Sequence, residues 1–323
     1  MKVILFVMDD QRVNLDHLYE VVRDSCASCE VVRLCKHEQQ HLAQVFRRVD
    51  IGSYQRVVIF SRLKRLRGQL ALLRAIPGLV FLEHDACQNY MPSSKYYRQY
   101  SRFYRQLPWA RVLASSLGVQ RRLAAEGVDS RFVSKGYDEQ FFVNQQQPRD
   151  IECAFLGSLK GHTYAERRSM LSAIAAVVPL RIGRTETREE YLQLLNRTRI
   201  FVSADVGMGE YMIKNFEAMA CGCALVACSQ GDEEDAALGF VDGENVLLYR
   251  SADEALEKIA RLRSDTQLAE RIARAGQRFA EQRFGFARIG ADLAAAIQAP
   301  MREWPGLTRW QRVHLRLRYG GSW

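Results

Sequence analysis

The chain of 323 residues is 48% hydrophobic and 26% charged, which excludes a disordered or fibrous protein and supplies material for two ordinary cores. No apolar run approaches the ~20 residues needed to cross a bilayer, and the opening residues 1–7 are too short for a signal peptide and read as a buried first strand, so a cytoplasmic location is expected. The formal charge of +9 raises nucleic acid or the anionic inner face of a membrane as partners; no recognised nucleic-acid module is present, so no nucleic acid is expected.

In chain order, residues 3–8 predict a strand, 13–23 a helix, 30–34 a strand, 41–49 a short helix, and 56–60 and 79–82 two further strands. A fifth strand at 111–114, a helix at 118–126 and a sixth strand at 130–133 complete the half. Such alternation predicts a doubly wound parallel sheet, with ligands beyond the carboxyl ends of its strands. The first of those ends runs into Asp9, Asp10 and Arg12, and the fourth into Glu83, His84 and Asp85, an imidazole between two carboxylates. Cys26, Cys29 and Cys35 with His37 and His41 lack the second tight pair of a structural zinc site, and no metal is expected. Residues 144–150, with three consecutive Gln and Pro148, form a polar linker.

The pattern then restarts, with a strand at 152–156, the loop Gly157-Ser158-Leu159-Lys160-Gly161, a helix at 164–177, a strand at 180–182 and a helix at 189–196. Next come a strand at 200–202, a loop with Gly207 and Gly209, a helix at 211–220 and a strand at 224–227. An acidic loop at 230–234 and amphipathic helices at 253–262, 267–284 and 286–297 follow. The start of the 211–220 helix carries the chemistry. Free N–H groups and the helix dipole attract anions there, Lys214 sits in the first turn, and Glu217 lies one turn on. A diphosphate fits the N–H groups and Lys214, and Glu217 can accept hydrogen bonds from ribose hydroxyls. No D-x-D motif is placed to hold a divalent ion.

The phrase Glu217-Ala218-Met219-Ala220-Cys221-Gly222 resembles the E-A-M-A-x-G phrase of the group 1 retaining glycosyltransferases of GT-B fold. Gly136, Asp138 and Phe142 resemble that family's G-x-D-x-x-x-F phrase, and residues 243–249 its D-G-x-N-G-L-L phrase. The resemblance covers 138–297 well and the first half mainly by strand order. It implies two Rossmann-like α/β domains facing a cleft: an acceptor-side domain over 1–146, a nucleotide-sugar domain over 147–298, and a basic tail, 299–323, packed back on the first.

It further implies a hexosyltransferase-type enzyme, retaining and independent of metal or other cofactor, moving a sugar from a nucleotide-sugar donor to a lipopolysaccharide-type or lipid-linked surface glycan. The donor residues it points to are Glu217, Lys214, Gly157, Ser158, Lys160, Gly209, Glu210, Tyr211 and Met212. On the acceptor side are Asp9, Asp10, Arg12, Glu83 and His84, with His84, Asp85 and Lys214 as catalytic candidates. One departure stands out: the Glu that the family carries eight positions before Glu217 is Gly209 here, with Glu210 beside it. A nucleotide-sugar-binding protein without turnover, and an epimerase of the same fold, remain open. Basic residues mixed with leucines and aromatics at 62–74, 98–105 and 309–318 suit a peripheral contact with an anionic membrane.

Overall fold

The structure, a computed structural model, describes residues 1–11 and 13–319. Eleven strands appear among them. The first six are β1 (Lys2–Met8), β2 (Ser28–Leu34), β3 (Arg56–Ile59), β4 (Leu79–Glu83), β5 (Arg111–Ala114) and β6 (Asp129–Phe132). They form one sheet in the order β2-β1-β3-β4-β5-β6. The other five are β7 (Ile151–Leu156), β8 (Arg181–Gly183), β9 (Thr198–Ser203), β10 (Ala224–Cys228) and β11 (Leu247–Tyr249), and they form a second sheet in the order β11-β10-β9-β7-β8. Every strand pairing in both is parallel.

Parallel strands covered by helices on both faces read as continuous apolar runs. Hence β1 is buried from Val3 to Met8, and β10 is buried throughout. In each sheet the second strand lies outside the first, and the third lies on the first strand's other side. The strand order therefore reverses between β1 and β3, and again between β7 and β9. The loops that leave neighbouring strands at such a point diverge to opposite faces and open a crevice at the strands' carboxyl ends.

The two sheets are bound by elements that cross between them. Gly136 follows β6 and runs against the turn at Phe284. A Cβ at Gly136 would lie 2.3 Å from the Phe284 carbonyl oxygen, so only glycine allows the Tyr137 amide to donate to that oxygen at 2.8 Å. The helix Phe286–Gln298 then returns to the first sheet and packs on the helix Asp16–Asp24, with Gly290 against Val21. Arg56 and Arg111 cap its end: Arg56 Nε donates to the Ile297 carbonyl at 3.0 Å, and Arg111 Nη1 to those of Ala296 and Ala299 at 3.0 Å each. Cations at a helix C-terminus satisfy its last carbonyls and oppose its dipole. The chain continues across the first domain, where Trp304 Nε1 donates to the Arg74 carbonyl at 3.0 Å, into a last helix, Arg309–Tyr319.

Three local features differ from or add to the expected elements. Of the expected loop 230–234, the residues from Asp232 on are helical. The helix Asp232–Leu238 begins there, with Asp232, Glu233, Glu234 and Asp235 in its first turn, where the dipole favours acids. The basic segment 62–74 folds as two short helices, Leu63–Leu66 and Leu70–Leu73, joined by a 3-10 turn over Arg67–Gln69 that contains Gly68. The residues of β11, expected only as a phrase, pair with β10 and close the edge of the second sheet.

Candidate functional site

A cleft of about 430 Å³ opens beyond the carboxyl ends of β7 and β9, where the strand order of the second sheet reverses. Its walls include Gly157 and Ser158 after β7, Arg184 after β8, and Lys214 and Glu217 on the helix Ile213–Ala220; Asn14, from the loop after β1, faces them. Gly157 matters through closeness rather than through φ. A Cβ there would lie 2.5 Å from Lys214 Nζ and 3.0 Å from the Phe155 ring. The missing side chain thus leaves the space in which the Lys214 ammonium sits, 5.5 Å from the centre of that ring. Among the described residues neither Lys214 nor Arg184 has a hydrogen bond or ion pair. Burial, then the positive charge of Arg167, pushes the Lys214 ammonium below its ordinary range. Met212, which precedes the helix, supplies no side-chain cap, and its own amide donates to Asp205 at 3.0 Å. The Asn215 amide donates to the Met212 carbonyl at 3.0 Å, while those of Ile213 and Lys214 have no side-chain cap and can meet an anion.

Glu217 is 5% exposed. Tyr191 OH donates to its Oε2 at 3.0 Å, yet burial dominates and pushes the carboxyl up to about 7. Tyr191 is placed by the helix Arg188–Arg197, whose N-cap Thr187 accepts from the Glu190 amide at 3.0 Å. The Tyr191 ring meets Phe142 edge-on at 5.8 Å. Arg188, from the same helix, bonds Asp138 at 2.5 Å and lies 3.7 Å over the Phe141 ring. The phrase around Gly136, Asp138 and Phe142 is thereby explained. Gly136 lets the chain cross, Asp138 holds Arg188, and Phe142 buttresses the tyrosine that orients Glu217. The phrase and the helix at 189–196 are each legible in the sequence, but their junction is not, because Asp138 and Arg188 lie 50 positions apart.

The remaining expected donor residues divide. Ser158 lines the cleft, whereas Lys160 is exposed and does not. Gly209 takes a left-handed φ of 65°, and the next residue, Glu210, turns away from Glu217 toward the first sheet. There it is 2% exposed, ion-paired with Lys135 at 2.9 Å and bonded by Ser115 Oγ at 2.9 Å. Tyr211 is buried, its hydroxyl donating to Asp235 at 2.6 Å and its ring edge-on to Phe240. Met212 approaches Lys135 through its sulfur at 3.9 Å. Asp205, near the helix start, is consumed by structure: Arg167 Nη2 at 2.7 Å and Asn215 Nδ2 at 2.8 Å both donate to it.

The first-sheet groups gather around that Lys135–Glu210 pair and do not line the Lys214 cleft. Glu83, the last residue of β4, accepts from Tyr104 OH at 2.5 Å and from the Asp85 amide at 2.8 Å; burial and then Asp85 push its carboxyl up to about 8. His84 has no hydrogen bond among the described residues and lies edge-on to Phe60; burial, and then Lys135, push its imidazole down to about 3, so it is neutral at physiological pH. Asp85 is exposed at its tip but surrounded by protein, and that desolvation raises its carboxyl. Asp10 is not free to meet a ligand. Arg65 grips it with Nη1 at 3.0 Å and Nη2 at 2.9 Å and holds it far below the usual carboxylate range. Asp9 is exposed, and Arg12 lies outside the described residues.

Residues 139–295 match the family model described as glycosyl transferase-like, so the second sheet and its helices form a domain of that type. No curated protein matches the chain by sequence. Among solved structures, Anabaena HepE in complex with UDP and glucose is similar, with a TM-score of 0.69 and 14% identity over 93% of this chain and 100% of that one. Sucrose-phosphate synthase from Thermosynechococcus elongatus gives 0.67 at 13% identity, over 92% and 98%. T4 phage BGT, in complex with its UDP-glucose substrate, gives 0.59 at 10% identity, over 93% and 100%. The fold is therefore the expected GT-B arrangement of two Rossmann-like α/β units.

Proposed function

We propose that the chain is a glycosyltransferase of the hexosyltransferase type. It moves a sugar from a nucleotide-sugar donor to a cell-surface glycan of the lipopolysaccharide type, free or lipid-linked. The observation that carries the reading is the Lys214 ammonium, without a hydrogen bond or ion pair among the described residues, set against Gly157 one helical turn from the buried Glu217. In this reading the donor's diphosphate lies on the first amides of the helix Ile213–Ala220 and on Lys214, and the ribose hydroxyls donate to Glu217. UDP-sugar ligands in the similar structures support a nucleotide-sugar donor.

The chemistry follows from charge. As the glycosidic bond breaks, negative charge grows on the diphosphate. A desolvated ammonium and fixed N–H dipoles stabilise that charge more than they stabilise the intact donor. These groups act without a divalent ion or other cofactor, and the family resemblance favours retention at the anomeric carbon. In this reading the acceptor side is built in the first domain, outside the Lys214 cleft, by Asp9, Glu83, Asp85 and the neutral His84. The basic surface suits a cytoplasmic enzyme in peripheral contact with an anionic membrane.

Calorimetric titration of Lys214→Ala with a nucleoside diphosphate and with the bare nucleoside tests the placement. A hydrogen bond to a charged group is worth ~1.5–3 kcal/mol, so the diphosphate should bind about tenfold or more weakly to the variant while the nucleoside is unaffected. Equal losses for both ligands would remove Lys214 from the diphosphate.

A further inference from the structure

The three basic stretches differ in whether their apolar residues face outward. In two they do not. In 62–74, Leu63, Leu66, Leu72 and Leu73 are buried and Arg65 is turned inward onto Asp10. In 98–105, Tyr100, Phe103 and Tyr104 are core residues. The last helix, Arg309–Tyr319, is different. Leu315 is its one buried side chain among the described residues, while Trp310 is 83%, Leu317 84% and Val313 46% exposed.

At 3.6 residues per turn, positions 310, 313 and 317 form one stripe, and 315 and 319 lie opposite. The stripe points away from the protein. Arg309 and Arg316 flank it on one side and Arg318 on the other, all exposed, and the helix contains no Asp or Glu. It is fixed in this orientation from beneath. Arg47 donates to the Tyr319 carbonyl, Arg318 reaches the Gly68 carbonyl at 3.5 Å, and the helix packs on Leu70–Leu73.

We infer that the helix Arg309–Tyr319 lies in the headgroup layer of an anionic membrane, with Trp310, Val313 and Leu317 in the acyl boundary and the arginines among the phosphates. An apolar stripe bordered by arginines, with tryptophan at one end, matches such a surface in both polarity and charge. A second copy of the chain fits poorly, because each copy would bring the same four arginines and a net charge of +9 to the contact. The inference rests on the membrane contact proposed above and narrows it to one helix. It sets the acceptor domain against the lipid, since the helix docks beside Gly68, in the segment that follows β3.

The test is co-sedimentation of the full chain with vesicles of phosphatidylcholine alone or mixed with phosphatidylglycerol, at low and high salt. The parent should bind only the mixed vesicles and be released by high salt. Each arginine near an anionic surface is worth about fivefold in binding, so Arg309→Gln with Arg316→Gln should weaken it about twenty-fivefold. Trp310→Ser with Leu317→Ser, which alters only outward side chains, should weaken it at least about tenfold with an unchanged melting temperature. Equal binding to both vesicle types, or full binding by the serine double variant, would overturn the inference. So would light scattering that finds a lipid-free dimer which the serine variant splits, since the stripe would then lie between copies. No donor is present in these assays, so their failure would leave the diphosphate titration standing, and the reverse holds.

Discussion

Glu217→Gln should make the protein more stable and a poorer binder at once. Burial lifts the Glu217 carboxyl from the ordinary 4.5 to about 7, a displacement worth about 3 kcal/mol. The sign is that of a raised carboxyl. Below about pH 4.5 both folded and unfolded chains are protonated and nothing is lost; stability falls as pH rises through 7, and the full cost remains above it. Glutamine carries no charge to desolvate, and its amide oxygen can still accept from Tyr191 OH.

At pH 8 the variant should therefore exceed the parent by on the order of 2–3 kcal/mol, the two converging near pH 4.5. Donor binding should move the other way. Two ribose hydroxyls donating to a carboxylate are worth ~1.5–3 kcal/mol each, and even partial retention by an amide leaves at least a tenfold loss for a nucleoside diphosphate. The parent's affinity should also fall about tenfold between its plateau above pH 7 and pH 6, where only ~10% of Glu217 is ionised; the variant's should be flat. Thermal melts and calorimetric titrations across this range measure both effects. A Gln variant that binds like the parent, with the same pH profile, would refute the assignment of Glu217 to the ribose.

Gly157→Ala should act through Lys214. The added methyl would sit 2.5 Å from Nζ, and the flexible end of the lysine gives way before the backbone does, so titration should show about tenfold weaker diphosphate binding with little change in melting temperature. Asp10→Asn leaves Arg65, 6% exposed, without its counter-charge; removing one partner of a buried pair costs about 3–5 kcal/mol, and Gln39 should hold the loss to the low end in denaturant unfolding. Because Arg65 depresses the Asp10 carboxyl, the parent's advantage over Asp10→Asn is present above about pH 3.8 and fades as pH falls below it. Gly290→Ala sets helix propensity, ~1 kcal/mol in favour of alanine, against a Cβ 2.6 Å from Val21 Cγ1. Overpacking at ~1–3 kcal/mol should win, and a variant more stable than the parent in urea would show that the two helices can part.

The succession of strands and helices and the Lys214–Glu217 spacing were legible because they are local. Apolar runs such as 3–8 announce buried parallel strands, and a helix start with Lys and Glu three apart needs no distant information. What stayed hidden depends on pairs far apart in sequence. Nothing near Glu210 indicates that it turns to Lys135 instead of standing in for the carboxylate absent at Gly209. Arg65 reads as one more surface cation until Asp10, on another strand end, is found beside it. The acidic run at 232–235 looked like a loop because charge masks helical periodicity, although acids are what a helix start favours. The tail shares its basic and aromatic composition with two stretches whose aromatics and leucines are core, so composition alone does not separate an outward stripe from a buried one.

The most direct test of the central claim is release of nucleoside diphosphate from a panel of nucleotide sugars, with and without a surface-glycan acceptor. Glycosyl transfer predicts release that the acceptor accelerates and that Lys214→Ala reduces by about tenfold or more. Tight donor binding with no release under either condition, or acceptor-independent conversion of the donor to its epimer, would contradict it.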